Sequence, residues 1–557
     1  NRRFISKIRS VYYFPVRIEQ GSISMTKWGN QADVCVIGSG AGGAVAAKEL
    51  AEHGLKVVVL EAGRHLDPLR DYKTARSDWE LLNPENRQMF TIPSLSKHTV
   101  SDPTVPFKRP VEAHGVGGGT LRFGAYVPRL RPGDFRVYSD DGVAADWPIT
   151  YEDLVPYYRK VELELGVSGL AGDPWTPQVA PYPNPPFPYS YANQIVKLGC
   201  DKLGIRLWPP PMARLSRYFD GRPKCIQCGQ CNRGCMSHAK SSMDVTYIAK
   251  AAATNKAEIR PLCTATQITV NKKGKADGVI YFDQAGNAHE LKASVIVVSG
   301  GSIQSPRLLL NSKTDVFPDG LGNSSGLVGK YFMQHLGYFS NGLFEARIDS
   351  YRGFFGGATS QDYAQTRKGN DFVRGWRHDL HSGIQGPVEM AKRTRLWGGR
   401  LKQYMRENFG HVAGGLTSGE QLPDERNCVD LDPEVRDEYG MPVPRITYEW
   451  RENDIKMKAA MKKNLMDIYA AAGASRILSM GTSPGASPHN LGTCRMGKDP
   501  KTSVLNSFCQ THDVPNLFVI DGSFFVTGGT ANPSLTIHAI AVRAAQYIVE
   551  QGKGMTL

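Results

Sequence analysis

Residues 32–63, ADVCVIGSGAGGAVAAKELAEHGLKVVVLEAG, constrain the fold of this chain more than any other segment. An apolar, strand-sized run leads into the glycine turn GSGAGG. A stretch of helical composition follows until Gly54, a residue type that commonly ends helices. A second apolar run then closes at Glu61. This order of strand, glycine turn, helix and strand indicates a Rossmann-like βαβ unit that binds a dinucleotide, with an ordinary βαβ unit as the alternative.

Each part of this motif has a physical role. Gly38 permits the tight turn, Gly40 lets the backbone approach a pyrophosphate, and Gly43 lets helix and strand pack closely. The free N–H groups at the helix N-terminus favour a phosphate. Glu61 lies 23 residues after Gly38, a spacing that suits hydrogen bonds with ribose hydroxyls. The spacing does not distinguish NAD from FAD.

A second glycine cluster lies in GVGGGTLRFGAYVPRLRPGDF, residues 115–135. Its centre consists of Gly117, Gly118, Gly119 and Thr120. Such a run is typical of a backbone that closely approaches a flat or phosphorylated ligand, and a flexible loop is the alternative. We therefore take these four residues as candidate cofactor contacts.

Two C-terminal stretches carry further polar side chains. SPHNLGTCRMG, residues 487–497, places His489 just before a Gly-Thr turn, and a later buried strand ends at Asp521. Asn532 and Pro533 then precede a long helical pattern, and a proline at this place suits the start of a helix. The apolar residues of that pattern fall on one helical face: Ile537, Ile540, Ala541, Ala544 and Ile548.

Taken together, these motifs resemble the glucose–methanol–choline (GMC) oxidoreductases, FAD enzymes that oxidise alcohols. The resemblance rests on the βαβ unit, the VGGGT loop, GGSIQSPRLLLNS (300–312), HNLGTCRMG and NPSLTIHAIAVRAA, which fall in family order. DWPITYEDLVPYYRKVELELGVSG (146–169) and a cysteine run are most similar to the large flavoprotein subunits of bacterial sugar and polyol dehydrogenases. Examples are gluconate 2-dehydrogenase, FAD-dependent glucose dehydrogenase and glucoside 3-dehydrogenase.

The resemblance implies an α/β fold with a Rossmann-like FAD-binding domain and a discontinuous α+β substrate domain that contains an antiparallel sheet. The FAD-binding domain is expected at residues 30–120, 215–330 and 485–557. The substrate-binding domain is expected at residues 121–214 and 331–484. Within the latter, PVPRITYEW (442–450) predicts a strand of the substrate sheet.

The resemblance also implies catalytic roles. His489 is the candidate base that takes the hydroxyl proton, because an unperturbed imidazole titrates near neutrality. Asn532 is the candidate second polar group at the substrate oxygen, which gives the His–Asn form of the family pair. His538 is a weaker candidate, since it lies inside the last helical pattern and packing explains it as well.

Further residues are expected to contact FAD. Asp521 is expected to reach the pyrophosphate or ribityl region through water or backbone, and Gly301 and Ser302 are weaker candidates. The helix after Pro533 offers its N-terminus to negative charge on the reduced cofactor. Some family members hold FAD covalently through a histidine just after the glycine loop. Arg122 stands at that place here, so we expect non-covalent FAD.

The cysteine run KCIQCGQCNRGCMSH has the spacing C-x2-C-x2-C-x3-C, formed by Cys225, Cys228, Cys231 and Cys235. Bacterial ferredoxins use this ligand spacing, although Met236 replaces their following proline. The alternatives stay open: a 3Fe-4S cluster on three cysteines, a 4Fe-4S cluster on four, a zinc site, or packing and disulfides. The family resemblance further implies that Cys235 belongs to a packing segment that members without metal also carry.

The predicted function is an FAD-dependent dehydrogenase of a sugar, glycoside or polyol, with hydride transfer to flavin N5. Electrons would pass to an acceptor such as a cytochrome c or a small partner subunit. The alternative is an FAD oxidase of sterols or long-chain alcohols that uses O2. Trp376, Arg377 and Trp397 are candidate sugar contacts, although core packing is the favoured explanation for any single one of them.

The net charge and the hydropathy of the chain limit the kinds of molecule that it is expected to bind. The chain carries 67 Lys and Arg against 53 Asp and Glu, a formal net charge of +14. This favours a basic solvated surface, with an anionic substrate, an acidic subunit or an anionic membrane surface as alternatives. Nucleic acid is not expected, because no basic run or reader motif is visible. No apolar run approaches about 18 residues, so no transmembrane helix is expected, whereas peripheral membrane association stays open.

Residues 1–29 form a basic N-terminal arm with several aromatic residues. The arm lacks the apolar core and cleavage site of a signal peptide. A cytoplasmic location, or a periplasmic one reached through a partner's signal, is compatible with this sequence.

Overall fold

The computed structural model describes residues 28–68, 70–72, 92–93, 98–99, 110–177, 180–353, 356–382, 386–479, 482 and 484–554. Residues 1–27 of the predicted N-terminal arm lie outside these ranges. The strands are β1 (Gln31–Ile37), β2 (Val57–Glu61), β3 (Ile92–Pro93), β4 (His98–Thr99), β5 (Val111–Glu112), β6 (Ala257–Pro261), β7 (Thr264–Val270), β8 (Ala276–Phe282), β9 (Ala288–Val298), β10 (Met333–Gln334), β11 (Leu336–Leu343), β12 (Gly356–Ser360), β13 (Trp376–Ser382), β14 (Val412–Gly419), β15 (Cys428–Arg436), β16 (Pro442–Thr447), β17 (Arg476–Ser479), β18 (Asn490–Leu491) and β19 (Leu517–Val519). The helices are α1 (Ala41–Glu52), α2 (Val137–Asp141), α3 (Tyr151–Leu165), α4 (Tyr191–Lys202), α5 (Tyr247–Ala253), α6 (Gly301–Asn311), α7 (Pro387–Thr394), α8 (Gly398–Asn408), α9 (Glu452–Ala471) and α10 (Ser534–Gly554).

The first sheet has the strand order β6-β2-β1-β9-β8-β7, and β19 pairs with β9. Strands β6, β2, β1, β9 and β19 run parallel, and Cys35 of β1 lies between Val58 of β2 and Ile296 of β9. The last residues of β1, the first four residues of β2 and the last residues of β9 are buried apolar runs, as expected of a parallel sheet covered on both faces. The predicted Rossmann-like fold is confirmed.

Helices α1, α5 and α10 pack against one another beside this sheet. The predicted apolar face of α10 is confirmed, because the side chains of Ile537, Ile540, Ala541, Ala544 and Ile548 are all buried. The first backbone bond of α10 runs from Ile537 N to Pro533 O, so Pro533 lies one position before the first helical residue, Ser534. Helix α6 contacts β7 of the first sheet as well as β15 and β16.

The second large sheet is antiparallel, with the strand order β12-β13-β14-β11-β17. Its central strand β14 pairs Gly419 with both Leu336 and Trp376. Helices α4 and α9 cover this sheet, and their buried side chains share a core with it. The predicted antiparallel sheet of the substrate region is therefore confirmed, and all of its strands lie within residues 331–484.

A third sheet corrects one expectation. The segment 442–450 does contain a strand, β16, but this strand pairs with β15 and β4 and not with the five-stranded sheet. The side chains of Val429 and Ile446 bury against Ile303 of α6. Apolar alternation alone predicts a strand but does not identify the sheet that it joins.

A short antiparallel pair, β10 with β18, joins distant parts of the chain. Met333 pairs with Leu491 and Gln334 pairs with Asn490. This register places the residues that follow β10 beside those that precede β18. In the described part of the chain, no helix combines the length and the apolar character needed to cross a membrane.

Candidate active site

A cavity of about 1650 Å³ extends from the first sheet to the five-stranded sheet. One part of its lining is backbone from the turn after β1 and from the glycine loop before the 3₁₀ turn Gly118–Leu121. The other part carries side chains from β11, β13 and β14 and from the segment before β18. The cavity therefore offers one end suited to a dinucleotide and another suited to a second ligand.

The turn after β1 is shaped by glycines in close contact. Gly38 has φ +98°, and a Cβ at Gly43 would lie 2.0 Å from Gly38 O, so a side chain at Gly43 would separate α1 from β1. Gly40 caps α1 without a side-chain hydrogen bond and lines the cavity together with Ala41. The helix N-terminus thus presents backbone N–H groups to the cavity, as a pyrophosphate site requires.

Glu61, at the end of β2, lines the cavity and is held in place by hydrogen bonds. Its Oε2 accepts from Ser39 N at 3.0 Å and from Ser39 Oγ at 2.6 Å, while its Oε1 accepts from Gly63 N at 2.9 Å. Ser39 Oγ also accepts from Gly117 N at 3.0 Å. Ser39, which the motif treated as a spacer, therefore joins the two glycine segments.

The glycine loop turns on Gly117, which has φ +111° and packs against Ser39. Gly118, Gly119 and Thr120 line the cavity. Thr120 Oγ1 donates to Gly117 O at 2.7 Å and accepts from Met243 N at 2.9 Å, which fixes the loop on its neighbours. The loop is therefore held by hydrogen bonds and is not a free linker.

Asp521 lines the cavity, but its carboxylate is bound within the protein. Oδ2 accepts from Gly301 N at 2.8 Å and from Ser305 Oγ at 2.5 Å, and Oδ1 accepts from Ser523 N at 2.8 Å. These bonds join the start of α6 to the turn after β19. Ser302 also lines the cavity and donates its hydroxyl to Asn490 O at 2.8 Å.

His489 and Asn532 come together at the other end of the cavity. Asn532 Nδ2 donates to His489 Nε2 at 3.2 Å, and both side chains are partly exposed to the cavity. His489 Nδ1 lies 2.8 Å from Nδ1 of His335, whose Nε2 lies 3.3 Å from Gly528 O. The pairing of β10 with β18 places His335 next to His489. No sequence motif predicted His335 as a site residue.

This chain of hydrogen bonds selects one tautomer at each ring. A carbonyl oxygen only accepts, so His335 Nε2 carries the proton that goes to Gly528 O. His335 Nδ1 is then an acceptor, and His489 Nδ1–H donates to it. His489 Nε2 consequently keeps its lone pair on the side of the cavity that Asn532 faces.

Both imidazoles are held neutral. Burial lowers the pKa of His489 well below its usual value, and the neighbouring His335 and Arg377 lower it further. Burial likewise lowers the pKa of His335 to about 4. Near neutral pH, Nε2 of His489 is therefore an unprotonated base.

Arg377 and Asp379 fix the orientation of the Asn532 amide. Arg377 Nη2 donates to Asn532 Oδ1 at 2.6 Å and to Asp379 Oδ2 at 2.7 Å, and Nε donates to the same Oδ2 at 3.2 Å. Because a guanidinium has no acceptor, the amide oxygen must face Arg377 and the amide nitrogen must face His489. Arg377 and Asp379 are both fully buried.

The other sequence candidates lie away from this pair. Trp376 is buried and stacks on Tyr363 with ring centroids 5.1 Å apart, whereas Trp397 is 86% exposed. His538 is fully buried against the Tyr247 ring, and burial lowers the pKa of His538 to about 3. Of the three candidate sugar contacts, Arg377 alone contacts a residue of the His–Asn pair.

The cysteine loop borders the same cavity, which Gly229, Gln230, Asn232 and Arg233 help to line. Arg122 of the glycine loop also lines the cavity and donates from Nε to Asn232 O at 3.2 Å. The loop that carries the cysteines therefore contacts the loop that is expected to bind the cofactor.

The four thiols do not form a ligand set. All ten cysteines of the chain are free thiols in this structure. Cys228 is exposed and Cys231 is buried. Within the described ranges, no three Cys, His, Asp or Glu side chains converge closely enough to hold a metal ion.

Two buried cations nevertheless lie beside these sulfurs. Arg214 Nη1 donates to Cys231 Sγ at 3.2 Å. Lys240 Nζ donates to Cys231 O at 2.6 Å, and the Lys240 backbone N–H donates to Cys235 Sγ at 3.4 Å. Burial lowers the pKa of Lys240, while Cys231 and Cys235 oppose that shift. The surroundings of the loop are electropositive.

Comparison with known proteins agrees with this architecture. The GMC oxidoreductase family models match residues 109–337 and 423–541, and a model of an NAD(P)-binding Rossmann-like domain matches residues 36–66. The chain belongs to the GMC oxidoreductases. Membership makes it an FAD-dependent oxidoreductase that acts on CH–OH groups, and the cavity described above provides the dinucleotide end that FAD requires.

Relatives align along nearly the whole chain. The chain is 36% identical to the 2-methyl-1,2-propanediol dehydrogenase of Mycolicibacterium austroafricanum, covering 94% of this chain and 96% of the relative. It is 31% identical to the fructose dehydrogenase large subunit of Gluconobacter japonicus, covering 94% and 98%. A solved structure of formate oxidase from Aspergillus oryzae superposes with a TM-score of 0.65 at 15% identity, covering 94% of this chain and 99% of that one. The last likeness concerns the fold alone.

Proposed function

We propose that this GMC oxidoreductase is a dehydrogenase that oxidises a hydroxyl of a sugar, glycoside or polyol to a carbonyl, with His489 as the base. One observation carries the proposal: the His489 Nε2 lone pair faces the cavity beside Asn532 Nδ2, 3.2 Å away. The relatives named for a propanediol and for fructose support the polyol class.

The reaction removes a proton from the hydroxyl and a hydride from the carbinol carbon. A substrate hydroxyl that reaches the pair replaces the bond between Asn532 and His489, donating to His489 Nε2 and accepting from Asn532 Nδ2. His489 then takes the proton, and its Nδ1–H continues to donate to His335. Asn532 holds the oxygen as it becomes a carbonyl. When bound, FAD supplies the hydride acceptor at flavin N5.

FAD is proposed to bind without a covalent bond, because Arg122 lines the cavity at the position after the glycine loop. Gly38, Gly40 and Glu61 would hold its dinucleotide part, whose phosphates would face the N-terminus of α1. Acid precipitation tests the linkage: the yellow colour is expected in the supernatant, and flavin in the pellet would contradict non-covalent binding.

Electron transfer from the reduced flavin through an iron–sulfur cluster is supported by the cysteine spacing and by the buried Arg214 and Lys240. It is opposed by the placement of the thiols, which do not converge. Iron and labile sulfide measured per flavin in anaerobically purified protein decide the matter. About three or four irons per flavin would establish a cluster, and iron far below one per flavin would exclude it.

Electron acceptors distinguish a dehydrogenase from the oxidase alternative. We expect a panel of sugars and polyols to bleach the flavin anaerobically and to drive turnover with an artificial acceptor. A cytochrome c or a small partner subunit is the proposed natural acceptor, since one relative is a large subunit. Stoichiometric peroxide under air with a sterol or long-chain alcohol would contradict the proposal.

A further inference from the structure

Asp379 lies at the end of the cavity where His489 and Asn532 meet. In the proposed reaction its carboxylate makes no direct contact with the substrate. It lies on β13, lines the cavity and is only 3% exposed. Asp379 Oδ2 and Asn532 Oδ1 both accept from the same nitrogen, Arg377 Nη2. The carboxylate is therefore within a few ångströms of the amide that is proposed to hold the reacting oxygen.

The second oxygen of this carboxylate retains acceptor capacity. Thr359 Oγ1 is 3.3 Å from Asp379 Oδ1 but 2.8 Å from His378 O. A hydroxyl has one proton, and the shorter bond to His378 O uses it. A carboxylate has sites for about four hydrogen bonds, and Oδ2 takes the two that come from Arg377. Oδ1 thus keeps acceptor capacity, and Asp379 lines the cavity through which a donor would enter.

The guanidinium beside it also retains a donor. Arg377 Nη1 is buried and has no hydrogen-bond partner among the described residues. Arg377 is not among the residues that line the cavity, so its part in the subsite is to hold the Asp379 carboxylate in place. Of these two residues, Asp379 is the one that lines the cavity, and its carboxylate can accept a hydrogen bond from a hydroxyl group.

We propose that Asp379, held in place by Arg377, forms a subsite for a second substrate hydroxyl next to the His489–Asn532 pair, so the enzyme selects vicinal diols and polyols over monohydric alcohols. This rests on the proposed function and adds the substrate class to it. The hydroxyl that reacts lies on His489 and Asn532, and the hydroxyl on the neighbouring carbon donates to Asp379 Oδ1.

The test compares 1,2-propanediol with 1-propanol in anaerobic flavin reduction by the FAD-loaded enzyme. A site that is built to bond a hydroxyl strongly rejects an analogue without it, so we expect kcat/KM for the diol to exceed that for the monohydric alcohol by about 100-fold or more. Asp379→Asn should reduce this ratio at least about tenfold, because a charge-assisted bond becomes a neutral one. Because Asp379 also helps to hold Arg377 on Asn532, the rate of Asp379→Asn with 1-propanol should fall as well, but by a smaller factor than its rate with the diol.

A matched control separates the subsite from a merely structural role. Asp362 also pairs with an arginine, Arg206, at 2.6 Å, but lies outside the cavity lining. Asp362→Asn should leave the diol-to-propanol ratio unchanged. The subsite is overturned if the wild-type ratio is near one, or if Asp379→Asn slows both alcohols equally. If a broad panel of alcohols fails to reduce the flavin at all, the proposed function fails instead.

Discussion

The His–Asn pocket and the cysteine loop border one cavity, yet only the pocket brings its chemical groups together. In the pocket, bonds of 2.6 to 3.2 Å join Asp379, Arg377, Asn532, His489 and His335 in one chain. In the loop, four cysteines within eleven residues do not converge. The cysteines are close in sequence but do not come together in space, whereas the pocket brings together residues from distant parts of the sequence.

The difference has a physical reason. The pocket residues form hydrogen bonds with one another, and all but Asn532 lie on or next to strands whose pairing is fixed, so their convergence needs no ligand. Thiols offer one another only weak hydrogen bonds. Burial raises the pKa of Cys225 to about 11, so near neutral pH this group is a protonated thiol with little attraction for its neighbours. Convergence in the loop therefore requires an added ion, whereas convergence in the pocket does not.

The largest expected effect comes from removing the base. His489→Ala should slow anaerobic flavin reduction by about 10² to 10⁴-fold, the usual contribution of a positioned general base. FAD content and thermal stability serve as controls, since His489 is not among the proposed dinucleotide contacts. Flavin reduction at the wild-type rate would remove His489 from the mechanism.

A smaller loss in the rate of flavin reduction is expected when the hydrogen bond from Arg377 to Asn532 is weakened. Arg377→Lys keeps the charge but loses the planar fork that bonds both Asn532 and Asp379. The rate of flavin reduction should fall by about 10 to 100-fold, in the range that a misplaced catalytic group costs. Arg206→Lys, at an arginine–aspartate pair outside the pocket, is the matched control and should have little effect. Equal effects of the two substitutions would mean that Arg377 only stabilises the fold.

The smallest effect is expected in the cysteine loop. Replacement of Cys225, Cys228 and Cys231 by serine should leave substrate-driven flavin reduction within about twofold, because none of the three contacts the His–Asn chain. Cys228→Ser alone, at the exposed thiol, provides a variant whose folding is least at risk. A more than tenfold loss of flavin reduction in Cys228→Ser would show that the two regions are coupled.

Local motifs allowed much of this structure to be predicted. The Rossmann-like unit, the apolar face of α10 and the antiparallel sheet follow from periodicity, glycines and family resemblance, because short-range signals encode them. The pairing of His489 with Asn532 followed from the resemblance alone. Their hydrogen bond is seen only in the structure, since 43 residues separate them.

Long-range contacts limited the rest. His335 reaches His489 because β10 pairs with β18, each of two residues, and elements this short leave almost no periodic signal. Asp379 was not predicted as a site residue, because the alternation of side chains along β13 does not show which face of the sheet borders a cavity. The prediction that β16 belongs to the five-stranded sheet was wrong for the same reason, because the sequence of one strand does not identify the strands with which it pairs.

The pH dependence of anaerobic flavin reduction tests the central claim most directly. A neutral imidazole accepts the hydroxyl proton and an imidazolium cannot, so the rate is lost as pH falls through the pKa of His489. Burial lowers that pKa well below its usual value of 6.5, and it lowers the pKa of the neighbouring His335 to about 4. The account predicts a flat profile across neutral pH and a fall only under clearly acidic conditions. A loss of rate centred near pH 6.5, the ordinary value for histidine, would contradict a buried, hydrogen-bonded base.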